Sequence, residues 1–149
     1  MPDRSPANPG TTLVDLHGAY ADRLAEANDL FGLARYGSSI ALALYALEIY
    51  LKVRICMRLD LDELPTAFQI HKLDGLLVFS GFKKRMDSLG THPVKQHWDS
   101  LSSPEMNAQH VGDFRYKPNS TWGREQAAEI LRQIQDSNEG VLPWLSAQT

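Results

Sequence analysis

The chain has 149 residues, of which 43% are hydrophobic and 22% charged, with a formal net charge of −3. That size makes one domain, large enough to bury a core without staples, and the acidic balance excludes a wholesale basic nucleic-acid binder while leaving a local basic site open. The single cysteine, Cys56, excludes an internal disulfide and a multi-cysteine zinc site and suits a reducing compartment.

Residues 1–11 carry three prolines and a glycine with no periodic pattern, and read as a disordered leader with no signal-peptide character. From Thr12 the spacing of Leu13, Leu16, Tyr20, Leu24, Ala27 and Phe31 predicts a helix, with Thr11 or Thr12 as its cap and Asp15 in the first turn. Gly32 and Gly37 bracket a break. The stretch that organises the chain then runs from Tyr36 to Leu61. Its second half alternates like a strand, but more than twenty residues without a breaker, Ala and Leu in the first half, and Glu48 placed four residues before Lys52 predict a helix. Ser38 or Ser39 is its expected cap. Charge falls on two strips, Glu48/Lys52 and Arg54/Arg58, too much for a membrane span, and the apolar residues cover most of the girth. This predicts the central post of a helical bundle, or a post shared across a dimer, in a cytoplasmic protein, with Cys56 a buried, inert thiol.

Residues 60–68 read as a connection, with Pro65 disfavouring helix at Leu64. A third helix is expected from about Gln69 to Ser80, ended by Gly81 with Phe82 folding back, and Lys83 to Arg85 as a solvated basic turn. Further helices are expected near Pro93 and from Pro104 to about Phe114, with Trp98, Leu101, Met106 and Val111 as core contacts. Residues 115–120 read as a loop, and a last helix starts near Thr121 on Ala127, Ile130, Leu131 and Ile134. Gly140 and Pro143 should kink or split it. The sum is an all-α protein, a four- or five-helix up-and-down antiparallel bundle, forming a single domain over residues 12–149.

No glycine-rich phosphate loop, nucleophile elbow, HExxH or calcium loop is present. The five histidines do not pair at helical spacing, so no metal and no cofactor is expected. The acidic cluster Asp60, Asp62 and Glu63 reads as a solvated turn. His71 stands out at the start of the third helix, either bonding the backbone or a central-helix side chain, or serving a ligand.

Ala46, Glu48, Leu51 and Lys52 on the central helix, then His71, Leu73 and Leu76, then Arg115 and Tyr116, and finally the ending VLPWL form an ordered series. This series resembles the HEPN (higher eukaryote and prokaryote nucleotide-binding) domains over roughly residues 34–145. The resemblance implies a dimerising up-and-down bundle that works with nucleotides or RNA in defence systems, toxin–antitoxin pairs or beside a nucleotidyltransferase. It makes Lys52, His71, Arg115 and Tyr116 the ligand-binding candidates. Many members are metal-independent ribonucleases with an arginine, usually followed by a polar residue, and then a histidine after four to six intervening positions; imidazole moves a proton while guanidinium steadies the phosphorane. Arg85 and His92 have that spacing, but Met86 follows Arg85, and Gly90 and Pro93 suggest a turn. The leading expectation is therefore a non-nuclease module that binds a nucleotide, RNA or a protein partner. The alternatives are a ribonuclease toxin using Arg85 and His92, or an assembly protein that only dimerises.

Overall fold

In the computed structural model residues 12–148 are described, and the expected leader lies outside them, as does Thr149. The chain is an all-α bundle; among the described residues there is no strand, only an isolated bridge between Thr12 and Glu63. Two long helices, α1 (Leu13–Gly32) and α2 (Tyr36–Leu59), are followed by short ones: α3 (Leu73–Ser80), α4 (Lys83–Asp87), α5 (Pro93–Leu101), α6 (Pro104–Ala108) and α7 (Phe114–Tyr116). The chain closes with α8 (Arg124–Gln135) and α9 (Val141–Ala147).

Thr12 caps α1 as its sequence suggests, its hydroxyl accepting from the Asp15 amide at 3.2 Å. The turn after Gly32 passes through Ala34 at φ 59°, and α2 then runs back along α1. The register is antiparallel: Ser39 Oγ donates to the Ala27 carbonyl at 2.7 Å, and the Tyr20 and Tyr50 rings meet at 5.0 Å. The expected Ser38 or Ser39 cap of α2 is not formed. The helix starts earlier, and the Ser38 amide donates to Asn119 Oδ1 at 2.7 Å, so the partner comes from a segment 81 residues away. Gly37 lies inside α2 rather than bracketing it, because Trp122 packs there; a Cβ would sit 2.6 Å from the indole.

From Ile40 to Cys56, α2 is buried on nearly every side, with Leu44, Leu47, Leu51, Val53 and Ile55 all sealed. The strand-like alternation therefore does not reflect a sheet face; a helix enclosed all round shows no single stripe. Cys56 is sealed as expected, and burial pushes its thiol up. No helix among the described residues is long and apolar enough to cross a membrane.

Later elements shift more. The third helix begins at Leu73, not Gln69; Thr66–Phe68 makes a 3-10 turn, and Ile70 folds back onto Gly75, where a Cβ would meet it at 2.9 Å. Gly81, at φ 88°, ends α3, and the Phe82 amide donates back to the Leu77 carbonyl at 3.3 Å, as read from the sequence. The basic triplet is helical rather than a turn, because Met86 is fully buried one turn after buried Phe82 and pins α4. Trp98 and Leu101 join the core and Met106 packs against it; the Val111 side chain lies outside the described set.

The expected loop at 115–120 starts two residues later. A π-turn, Gln109–Asp113, joins α6 to α7, so Arg115 and Tyr116 are helical. The last long helix starts at Arg124 rather than Thr121, because Trp122 stays extended to reach Gly37 and the Phe114 ring, 4.7 Å away. The split before VLPWL is present: α8 ends at Gln135, Asp136 Oδ2 accepts from the Asn138 and Glu139 amides, and α9 follows.

Candidate functional site

Tyr45, Glu48 and Lys52 follow at three- and four-residue steps along one side of α2. Glu48 lies at the bottom of that side, its side chain 6% exposed, and three groups converge on its carboxylate. Lys52 Nζ donates to Oε2 at 3.1 Å, His71 Nδ1 donates to Oε2 at 3.1 Å, and His110 Nε2 donates to Oε1 at 3.0 Å. Burial alone pushes the Glu48 carboxyl up. The His110 hydrogen bond, the Lys52 charge and then His71 outweigh it, and the group is held below its ordinary range. Glu48 is thus ionised at neutral pH and accepts from all three partners.

A cavity of about 310 Å³ opens above the carboxylate, lined by Tyr45, Glu48, His71, His110 and Arg115. The two histidines differ. The His71 side chain is 68% exposed, so a ring oriented by the carboxylate faces outward at the mouth. His110 is buried, its ring 4.8 Å from that of Tyr45, and its Nδ1 has no hydrogen-bond partner among the described protein groups. Arg115 closes the rim. Hydrogen bonding to the Tyr45 phenol raises its guanidinium further above an already high value, and Tyr116 adds to the effect. These partners are neutral, so they orient the arginine without cancelling its charge.

The π-turn explains how His110 and Arg115 share a cavity. They are five residues apart, which α-helical geometry would set roughly 140° apart around the axis. A turn closed by i→i+5 bonds brings such residues toward one face. Trp122 steadies the turn, its Nε1 donating to Gln109 Oε1 at 3.2 Å.

Of the residues expected from the sequence, Lys52, His71 and Arg115 gather around Glu48. Tyr116 stays on the surface beside Arg115, 82% exposed, and does not line the cavity. Arg85 and His92 lie elsewhere: the Arg85 guanidinium faces the Phe82 ring at 5.5 Å, and His92 Nδ1 accepts from the Val94 amide at 3.1 Å as the cap of α5. Sequence reading missed Tyr45 and His110. The signal for His110 was its place five residues before Arg115, inside a segment already read as helical. Among the described residues no three His, Cys, Asp or Glu groups are arranged to hold a metal ion, and both site histidines point a nitrogen at Glu48.

The arrangement can do two things. It can hold an anion through Arg115 and the Tyr45 hydroxyl, and His71, its Nδ1 committed to Glu48, presents Nε2 at the mouth, where it accepts a proton and, once protonated, donates to an anion. No family model, no curated protein and no solved structure matches the chain.

Proposed function

We propose that the chain is a HEPN-like, non-nuclease helical module that binds a phosphate-bearing ligand, a nucleotide or RNA, in the Glu48 cavity. One observation carries this reading: the carboxylate at the cavity floor is already matched by Lys52 and two imidazoles, while Arg115 at the rim lies beside the Tyr45 and Tyr116 phenols and pairs with no carboxylate among the described residues. A bound phosphate therefore meets a guanidinium and an outward imidazole. It does not face an unmatched carboxylate. The ordered series of motif residues supports the same reading, since four of its five polar members, Glu48, Lys52, His71 and Arg115, gather at this cavity. In that reading the module works in a defence, toxin–antitoxin or nucleotidyltransferase-associated system, beside a partner protein.

Isothermal titration with nucleotides and short RNA tests it. Wild type should bind, and Arg115→Ala, an exposed change that leaves the buried cluster intact, should weaken binding about tenfold or more through loss of a charge-assisted bond. No heat with any of these ligands overturns the reading. Self-association is the second part of the proposal, supported by the exposed Val78 and Phe79 on α3. Sedimentation that finds only monomer at micromolar concentrations overturns that part.

A further inference from the structure

The other charged strip of α2, Arg54 and Arg58, has no part in the Glu48 cavity. It lines a second and larger one of about 550 Å³, between the C-terminal half of α2, the α3–α4 corner and α9. Arg85, from the basic triplet, is the third guanidinium in its wall, and no Asp or Glu among the described residues lines it. We infer that this cavity is a separate anion site, which takes a small organic phosphate carrying at least two negative charges.

The arginines are positioned before any ligand arrives. Arg54 Nη2 donates to the Gln148 carbonyl at 2.7 Å, and its Nη1 to the Leu145 carbonyl and the Tyr50 hydroxyl at 3.3 and 3.2 Å. Arg58 Nη1 donates to the Phe79 carbonyl at 2.8 Å, near the end of α3. Its guanidinium crosses Gly81, where a Cβ would stand 2.9 Å from Nε and φ is +88°. All these acceptors are neutral. They fix direction and leave charge, and a guanidinium has five N–H donors, more than these bonds use.

Arg54 and Arg85 also share one ring: their guanidinium carbons lie 4.9 and 5.5 Å from the centre of the Phe82 ring. Arg54 and Arg58, held by neutral acceptors, bring two like charges to one concavity, and a ligand with two negative charges relieves their repulsion. Met57, more than half exposed, and the Phe82 ring offer an apolar surface beside the cations. A phosphate ester with a compact apolar or aromatic body matches both features. The volume is in the range of small-molecule sites, roughly 300–1,000 Å³.

Phenyl phosphate is the probe, titrated into the full chain and followed by amide NMR, with inorganic phosphate as the comparison. The amides of Ser80, Gly81, Phe82 and Ser146 should shift. Phenyl phosphate should bind more tightly than inorganic phosphate, and Arg85→Gln and Arg58→Gln should each weaken it about tenfold. Arg85 is exposed, so its variant keeps the test available if Arg58→Gln loosens α3. The inference is overturned by an absence of shifts at millimolar ligand, by equal affinity for the two ligands, or by affinities unchanged in both variants. Shifts confined to Tyr45, Glu48, His71 and Arg115 overturn it too, and would instead credit the first cavity. Failure here leaves the Arg115 test untouched, because the two cavities share no residue.

Discussion

The two cavities lie on different sides of one helix yet end in opposite electrostatic states. Glu48 and Arg54 are six positions apart, roughly 120° around α2, so each strip meets different neighbours. On the Glu48 side, the stretch before α3 and the π-turn send in His71 and His110, and every charge at depth has a counterpart. On the Arg54 side, helix ends send in carbonyls, which orient cations without neutralising them. The matched set can sit in the core beside Leu44, Leu47 and Leu51. Arg54 and Arg58, whose acceptors are neutral, stay near water. Changes on the first side should therefore cost stability and binding together, and changes on the second should cost mainly binding.

The sharpest break of that contrast is Glu48→Gln. It leaves a buried Lys52 ammonium without its counter-ion and takes a carboxylate from two imidazoles. Removing one partner of a buried pair costs about 3–5 kcal/mol, which for this size lowers the melting temperature by about 10 °C. Chemical and thermal denaturation read this directly. The same residue sets an acid limit. Because the folded carboxyl is held below its ordinary value of 4.5, its contribution is fully present above that value and is lost as pH falls through the depressed one. The stability gap between wild type and Glu48→Gln should narrow as pH drops below 4.5, as denaturant midpoints across acid pH would record. A gap independent of pH would mean that the carboxylate charge is not what holds this side together.

The same contrast separates what the sequence made legible from what it hid. Helix α2 could be read from sheer length without a breaker, and the α8 stripe of Ala127, Leu131 and Ile134 from its period. Glu48, Lys52, His71 and Arg115 could be picked out as an ordered series, though not as a cluster. What stayed hidden depends on distant partners or on unusual turns. The Asn119 bond that serves the start of α2 has no local signature. Nothing near Lys83 reveals that Met86 will be buried and turn a basic triplet into a helix. His110 is hidden because residues that share a helix face recur at three- and four-residue spacing, whereas a π-turn aligns residues five apart.

Gly37→Ala sharpens the comparison from a distance. Its methyl would enter the Trp122 ring at 2.6 Å, and a shift of Trp122 strains its bond to Gln109 in the π-turn that carries His110. Overpacking of this kind costs about 1–3 kcal/mol. The variant should also weaken ligand binding at the Glu48 cavity while phenyl phosphate binding at the arginine cavity stays as in wild type. Parallel titrations with a nucleotide and with phenyl phosphate measure the two, and an equal loss at both would mean that α2 transmits strain along its length.

Arg58→Gln should have the smallest effect on stability and so tests the other half of the contrast. The side chain is exposed, its bond to the Phe79 carbonyl lies near the end of α3, and a cation at such a place contributes about 0.3–1 kcal/mol. Glutamine keeps a donor for that carbonyl and removes only the charge, while relieving repulsion from Arg54 and Arg85. These two terms oppose each other, so the denaturation midpoint should barely move, and added salt should shrink whatever difference remains. A large loss of stability would show that this guanidinium acts as a structural fastener for α3, as Lys52 does for Glu48, and the two sides of α2 would then differ in sign of charge alone.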